Sequence, residues 1–315
     1  MIQVESVSKK FDALQAVDRV SFTARPGEIF GLLGPNGAGK STIIRMLMNI
    51  IAPDSGEIFF DGRKTSEQDK DRIGYLPEER GLYKKDKVND ILLYFASLKN
   101  ARMDRAQKNI DDWLERFGLT DRKFEKVEKL SKGMSQKIQF IASVAHDPDI
   151  LFFDEPFAGL DPVSADLLKD SIAALGKEGK TILFSTHIME HAEKICTGLL
   201  LINRGREVIS GQLADIKSSY GTNTVAIEFD GNADFIAALP YVKKIMSFPR
   251  WIEVELSGRT YTGDLLRTLA SKTAGGTISV SRFELMAPSL HNIFISLVGD
   301  KKETSHEENL QNSKT

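Results

Sequence analysis

Short apolar runs alternate with helical patterns through the first two thirds of the chain. Three of these runs are almost continuously apolar, which is typical of parallel strands buried on both faces: Glu28–Leu33, Ile150–Asp154 and Thr181–Ser185. Ile2–Val7 and Val17–Thr23 look like edge strands. Shorter strands are predicted at Glu57–Asp61 and Arg72–Leu76, with a hairpin of Leu199–Asn203 and Glu207–Ser210. Strands that alternate with helices predict an α/β domain.

Between these strands, one region has a helical pattern. Its apolar residues recur at helical spacing, first in one group and then in a second: Ile91, Leu92, Phe95, Leu98, and Ile110, Trp113, Leu114, Phe117. We predict a mostly helical insert over residues 86–132, approximately.

A second, small α+β domain is predicted over residues 220–300. Three strands and a helix are expected: Thr224–Phe229, Trp251–Leu256, Leu265–Ala274 as the helix, and Thr277–Glu284. Ser289 can cap a last helix that runs through Leu297. Residues 301–315 are polar, and a disordered tail is predicted there.

Composition narrows the class of protein. The 315 residues are enough for two domains, and 41% hydrophobic with 27% charged residues is ordinary for a globular protein. A net charge of −2 gives no field that favours nucleic acid, and none is expected as a partner. The one cysteine, Cys196, fits a reducing, cytoplasmic location. We find no signal-peptide pattern and no run long enough to span a bilayer, so any membrane role is expected to be peripheral.

The stretch Gly34–Thr42 reads GPNGAGKST and carries the strongest functional signal. It follows a predicted strand and opens a helical run, which is the context that this phosphate-binding motif requires. Its glycines let backbone N–H groups turn toward a triphosphate, and Lys40 would reach the β- and γ-phosphates. Ser41 would hold Mg²⁺. The predicted nucleotide-binding residues are Gly34, Pro35, Asn36, Gly37, Ala38, Gly39, Lys40, Ser41 and Thr42.

Two carboxylates end the buried strand Ile150–Asp154. Asp154 can bind Mg²⁺ in its outer sphere, and Glu155 is placed to polarise an attacking water. A strand end followed by a turn would explain Asp-Glu-Pro without any chemistry. Together with the phosphate loop, the pair predicts hydrolysis of the nucleotide.

Several further motifs follow in one order, and with them the chain resembles the ATP-binding subunit of an ATP-binding cassette (ABC) transporter. Leu130–Met134 resembles the LSGGQ signature, Phe157–Pro162 the D-loop, and Ser185–His187 the switch-histidine loop. Phe11 stands where the family has an aromatic residue that stacks on adenine. The resemblance covers residues 1 to about 215. It implies a P-loop NTPase cassette with a parallel core sheet, an antiparallel edge sheet and a helical insert.

The resemblance also implies roles. Glu155 and His187 would be catalytic, with His187 sensing the γ-phosphate, and Asp161 would couple two sites across a dimer. The signature would contact ATP held by a second subunit, in a homodimer or heterodimer: Ser131, Lys132, Gly133 and Met134. Simpler roles remain open, namely a Ser-capped helix start, a structural histidine and a core position for Phe11.

The sequence departs from the family pattern at three positions. Glu78 stands where the family has a glutamine that approaches Mg²⁺, and a carboxylate there adds negative charge. Lys132 and Met134 replace Gly and Gln of the signature, and Lys132 either reinforces phosphate binding or is solvated. This variant pattern with an extra C-terminal domain resembles exporters of the ABC-2 type, which include sodium- and drug-efflux systems.

We therefore expect an ATPase subunit that uses ATP and Mg²⁺ to power a separate transmembrane permease, bound at the inner face of the cell membrane. A soluble ABC-type ATPase that acts on nucleic acid or ribosomes is the alternative, and a regulatory module without turnover is a third class. The chain has a single cassette and no excess of basic residues, and both features argue against an ATPase that acts on nucleic acid or ribosomes. The basic run Lys84–Lys87 is either a solvated loop or a contact with the membrane partner.

Overall fold

The computed structural model describes residues 1–79, 81–220, 223–248, 251–286 and 288–298. The chain divides into two units, Met1–Leu213 and the part that begins at Ala214. The predicted tail, 301–315, lies outside the described residues.

The described residues of the first unit form two sheets. Their strands, in chain order, are β1 (Ile2–Phe11), β2 (Leu14–Ala24), β3 (Ile29–Leu33), β4 (Ser55–Phe60), β5 (Arg63–Lys64), β6 (Ile73–Leu76), β7 (Ile150–Asp154), β8 (Thr181–Thr186), β9 (Gly198–Asn203) and β10 (Arg206–Gln212). The helices are α1 (Lys40–Leu47), α2 (Val88–Ser97), α3 (Met103–Arg116), α4 (Lys132–Val144), α5 (Pro162–Lys177) and α6 (Met189–Ile195). Helix α7 (Leu213–Ser219) follows, and 3₁₀ turns lie at Glu67–Arg72, Thr120–Arg122 and Val127–Lys129.

The larger sheet has the order β10-β9-β3-β8-β7-β6, and all of its neighbours are parallel except β9 and β10. Every residue of β3, β7 and β8 is buried, as the apolar runs predict. Other elements therefore cover both faces of these strands, and the loops that follow the parallel strands meet at one edge. The residues predicted to bind and hydrolyse a nucleotide follow β3, β7 and β8 at that edge.

The second sheet is antiparallel, in the order β2-β1-β4-β5. The prediction that Ile2–Val7 is an edge strand was wrong, because β1 pairs with β2 on one side and with β4 on the other. A one-sided apolar pattern reports which face is buried and says nothing about neighbours in the sheet. Both strands are also longer than predicted, so that β1 extends to Phe11 and the turn into β2 lies close to the phosphate loop.

Aromatic and aliphatic side chains fill the core beneath the two sheets. Phe60 and Phe152 are fully buried with ring centroids 6.4 Å apart, and Phe22 stacks on Phe30 at 5.1 Å. The helical region packs on the other side through Trp113, whose ring lies edge-on to Phe140 at 5.4 Å. These contacts fix β3 and β7, the strands that lead into the predicted phosphate loop and the Asp154-Glu155 pair.

The second unit contains the antiparallel sheet β12-β13-β11-β14. Its elements are β11 (Thr224–Gly231), β12 (Val242–Ser247), β13 (Trp251–Leu256), α8 (Thr262–Ala274), β14 (Ile278–Met286) and a helix over 290–298. The sequence pattern missed β12, whose alternation is broken by adjacent lysines and by a register shift between Val242 and Lys244. Ser289 caps the last helix as predicted, since its Oγ accepts a hydrogen bond from the Asn292 N–H at 3.1 Å.

Candidate functional site

The phosphate loop is held in a conformation that only glycine allows at two points. Gly34 and Gly39 have φ angles of 155° and 109°. A Cβ on Gly34 would lie 2.1 Å from the carbonyl oxygen of Ile202, and one on Gly39 would lie 2.5 Å from that of Ala16. The backbones of β9 and β2 therefore pack directly against the phosphate loop. Within the loop, the Gly34 N–H donates to the Thr186 carbonyl oxygen at 3.4 Å and the Ala38 N–H to that of Pro35 at 3.1 Å. The N–H groups of Asn36, Gly37 and Gly39, which line the cavity, are the ones placed to bind a phosphate.

Lys40 is the first residue of α1 and is almost fully buried. Its Nζ donates hydrogen bonds to the carbonyl oxygens of Gly34, at 2.8 Å, and of Pro35, at 3.2 Å. Burial lowers the pKa of Lys40, and the charges of Glu155, Asp154 and Glu78 act in the opposite direction. The ammonium group is thus folded onto the loop and has acidic neighbours.

Glu155 follows β7 and is fixed by groups at the end of β8. Its Oε1 accepts hydrogen bonds from the backbone N–H of His187, at 3.0 Å, and from His187 Nδ1, at 2.8 Å. Its Oε2 accepts one from Thr186 Oγ1 at 3.2 Å. Because a carboxylate only accepts, Nδ1 carries the hydrogen. Lys40 Nζ lies 3.9 Å from Oε1.

The backbone at Glu155 is also unusual. Its φ is 48°, in the left-handed region that a residue with a side chain rarely adopts. The Glu155 N–H donates to the carbonyl oxygen and to Oγ of Ser185, both at 3.2 Å. The same Ser185 hydroxyl donates to Asp154 Oδ1. Ser185 and Thr186 thus orient both carboxylates. These two hydroxyl residues lie at the end of a predicted strand, beside a histidine, and this pattern could have identified them as site residues. They were not among the site residues predicted from the sequence.

A cavity of about 740 Å³ collects many of the predicted residues. The predicted residues that line it are Phe11, Asn36, Gly37, Gly39, Lys40, Ser41, Thr42, Glu78, Asp154 and Glu155. Gly34, Pro35 and Ala38 do not line it, and the first two contribute the carbonyl groups that hold Lys40. His187 does not line the cavity, but its Nδ1 is hydrogen-bonded to Glu155, which does. The sequence did not predict Leu14, Gln15, Ala16, Arg204 and Gly205, which complete the lining.

The signature residues Ser131–Met134 lie outside this cavity. Ser131 caps α4 by accepting a hydrogen bond from the Met134 N–H at 3.2 Å. The Lys132 side chain lies against Gly159, where a Cβ would be 2.9 Å from its Nζ. Asp161 caps α5 by accepting from the Ser164 N–H at 2.9 Å, and this hydrogen bond lowers the pKa of Asp161. The signature and the D-loop are thus packed together at two helix starts.

The residues around the cavity suit magnesium. Ser41, Glu78 and Asp154 offer only oxygen ligands, which Mg²⁺ prefers, and all three line one cavity beside the phosphate loop. The sequence predicted these three as the Mg²⁺ residues, and the structure brings them together.

The fold and this cavity define a P-loop nucleotide hydrolase. A family model described as "ABC transporter" matches residues 17–158, and one described as "ATP-binding protein DrrA1-3-like, C-terminal domain" matches residues 211–298. The chain belongs to the family of ABC transporter ATP-binding proteins, and it is an ATPase that binds ATP and Mg²⁺.

Individual proteins agree with this family. An uncharacterized ABC transporter ATP-binding protein, YhaQ of Bacillus subtilis (strain 168), is 40% identical over 95% of this chain and 99% of its own. Nod factor export ATP-binding protein I of Rhizobium sp. (strain N33) is 34% identical over 96% and 98%. A solved ATP binding subunit of an ABC transporter superposes with a TM-score of 0.65 at 28% identity, covering 70% of this chain and 93% of that one. The predicted family, fold class and ATPase activity are confirmed.

None of the helices that the structure describes is both long enough and apolar enough to cross a membrane.

Proposed function

We propose that this chain hydrolyses ATP to drive a separate transmembrane permease, and that the assembly is an exporter of sodium, a drug or a similar compound. The observation that supports hydrolysis best is Glu155, which is held by three hydrogen bonds beside Lys40 and lines the cavity with Ser41 and Asp154. The C-terminal family match and the export named for one relative support the direction of transport.

In this proposal Glu155 is the general base. The carboxylate accepts the proton of the attacking water as the water adds to the γ-phosphorus, and the terminal P–O bond to ADP breaks. Lys40 leaves the carbonyl groups of Gly34 and Pro35 and donates to the β- and γ-phosphates. The N-terminus of α1 and the loop N–H groups stabilise the same negative charge.

His187 holds Glu155 through Nδ1–H, so Nε2 is its free ring nitrogen. Nε2 donates to the γ-phosphate only when the ring is protonated, because a neutral imidazole has one N–H. His187 therefore links the position of the base to the presence of the terminal phosphate. Ser41, Glu78 and Asp154 would hold Mg²⁺, which supplies charge neutralisation on the phosphates when it is bound.

We further propose that ATP closes two subunits head to tail. Ser131–Met134 do not line the cavity of their own chain, and Ser131 and Lys132 are exposed. The N-terminus of α4, with the Ser131 hydroxyl, is free to meet a phosphate held by a second subunit. Asp161, at the start of α5, would lie in the same interface. The proposed division of the chain is a cassette through about residue 215 and an accessory domain beyond it.

An exposed aromatic group supports a membrane partner at the helical insert. Tyr83 and Tyr94 are 55% and 45% exposed, and their ring centroids lie 6.1 Å apart. Leu98, the first residue after α2, is 56% exposed, and the basic run Lys84–Lys87 follows Tyr83 directly. Aromatic rings beside apolar and basic side chains suit a docked protein segment. Glu78, earlier in the same loop, would pass the movement from the cavity to that segment.

Co-expression with a candidate permease, a membrane protein, tests the proposal. We expect the two to co-purify in fixed stoichiometry, with the chain at the inner face of the membrane, and the membrane protein to raise ATP turnover. Tyr83→Ala with Tyr94→Ala should abolish both effects, whereas Tyr220→Ala, at an exposed tyrosine elsewhere, should not. Turnover that is stimulated by RNA or ribosomes and not by the membrane protein would overturn the transporter proposal.

A further inference from the structure

The turn between β9 and β10 places a charged side chain at the cavity, and no motif accounts for it. Arg204 and Gly205 form the turn, with φ angles of 50° and 77°, and both line the cavity. The Arg204 side chain is exposed. Arg206, in the same hairpin, pairs with Asp18 at 2.9 Å, whereas Arg204 has no ion-pair partner among the described residues. Its guanidinium group is available to a ligand.

Backbone contacts fix the turn in place. The Gly205 N–H donates to the carbonyl oxygen of Ala38, in the phosphate loop, at 2.9 Å. The Gly205 carbonyl accepts from the Asp18 N–H, in β2, at 2.8 Å. A Cβ on Gly205 would lie 2.8 Å from the carbonyl oxygen of Ala16. The turn is thus held between the phosphate loop and β2, and the position of Arg204 does not depend on a mobile segment.

The order of the sheet shows which end of a nucleotide Arg204 faces. The phosphate loop follows β3, and β3 lies between β8 and β9. Asp154 and Glu155 follow β7, on the β8 side, so the reacting phosphate belongs there. Arg204 follows β9 on the opposite side, in the part of the lining that also contains Phe11, Leu14 and Ala16. The apolar side chains on this side suit a base and a ribose better than a phosphate.

We infer that Arg204 binds the base-and-ribose half of ATP and sets nucleotide affinity without taking part in turnover. A guanidinium group is planar and weakly hydrated, so it stacks on an aromatic base and donates hydrogen bonds to base or ribose oxygen and nitrogen atoms. The inference rests on the proposed placement of ATP in this cavity.

Binding to the full-length chain tests the role. Arg204→Ala should raise the Kd for Mg-ATP roughly two- to thirtyfold, the range for loss of a cation–π contact with a base, and leave kcat unchanged. Inorganic tripolyphosphate, which has no base, should inhibit wild type and Arg204→Ala equally. Arg19→Ala is the matched control, because Arg19 also has a left-handed φ, of 50°, is exposed and does not line the cavity.

The outcomes are distinct. An unchanged Kd of Arg204→Ala for Mg-ATP would overturn the inference. It would also be overturned if Arg204→Ala weakened the binding of tripolyphosphate as much as that of Mg-ATP, because Arg204 would then bind the phosphates. If Arg19→Ala loses as much affinity for Mg-ATP as Arg204→Ala does, the loss comes from changing the backbone at a left-handed residue. That result would also overturn the inference. If Arg204→Ala does not fold, Arg204→Gln provides the same comparison. Lys40→Ala tests the cavity itself: if it binds ATP normally, the proposed function fails, whatever Arg204 does.

Discussion

Replacing Glu155 with glutamine separates chemistry from binding in this site. A glutamine can keep its Oε1 where the carboxylate oxygen is, and can still accept from the His187 N–H that lies 3.0 Å away. Its amide nitrogen cannot accept from Thr186 Oγ1, and neither amide atom is a base. Lys40 keeps its hydrogen bonds to Gly34 and Pro35. The variant should therefore fold and bind ATP, and lose proton abstraction.

The expected effect is on kcat. Removing a positioned general base costs about 10²- to 10⁴-fold in rate, so kcat should fall by that factor while the affinity for ATP stays the same or rises. Affinity can rise because the substitution removes a negative charge from a cavity that binds a triphosphate.

Initial rates of phosphate release from Mg-ATP, with a separate ATP titration, measure both quantities. Glu190→Gln is the control, since Glu190 is an exposed carboxylate on α6 that does not line the cavity. An unchanged kcat in Glu155→Gln would refute the base. A loss of ATP binding that accounts for the whole fall in rate would refute the claim that the residue acts in the chemical step.

Three further results are expected. His187→Ala should lower kcat roughly 10- to 100-fold through the lost 2.8 Å hydrogen bond to Glu155; an unchanged kcat in steady-state assays would contradict it. Gly34→Ala should cost about 2 kcal/mol more unfolding free energy than Gly62→Ala, because a Cβ at Gly34 meets Ile202 at 2.1 Å whereas one at Gly62 meets nothing. Denaturant titrations with equal losses would refute that contact. Burial lowers the pKa of His146 to about 4, below its unfolded value, so the unfolded chain binds more protons there as pH falls. From pH 7 to 5 wild type should lose roughly 2 kcal/mol more stability than His146→Gln.

Most of the predicted site residues line one cavity, whereas the residues that complete its lining were not predicted from the sequence. The residues of the phosphate loop are consecutive in the chain, and so are Asp154 and Glu155. Each motif can therefore be found from the sequence alone. Arg204 and Ala16 lie far apart in sequence and reach the cavity because β9 pairs with β3 and because β2 begins beside the loop. Pairing between distant strands is a property of the tertiary structure, and a local pattern does not contain it.

The same limit of local patterns explains why β1 was wrongly predicted to be an edge strand. The apolar positions of β1 predict a strand with a buried face, and the strand exists. Whether β1 lies at the edge or in the centre of its sheet depends on β4, which follows α1 in the chain and pairs with β1. The supports of Glu155 show the converse: Ser185 and Thr186 were visible as a motif, and only the geometry shows that their hydroxyls orient the two carboxylates.

The central claim is that this chain supplies half of a composite ATP site. The molar mass of the Glu155→Gln variant, measured by light scattering with Mg-ATP and with Mg-ADP, tests it most directly. The account predicts twice the 35.0 kDa of one chain with Mg-ATP and a single chain with Mg-ADP. A single chain at saturating Mg-ATP, or the same dimer with either nucleotide, would contradict it.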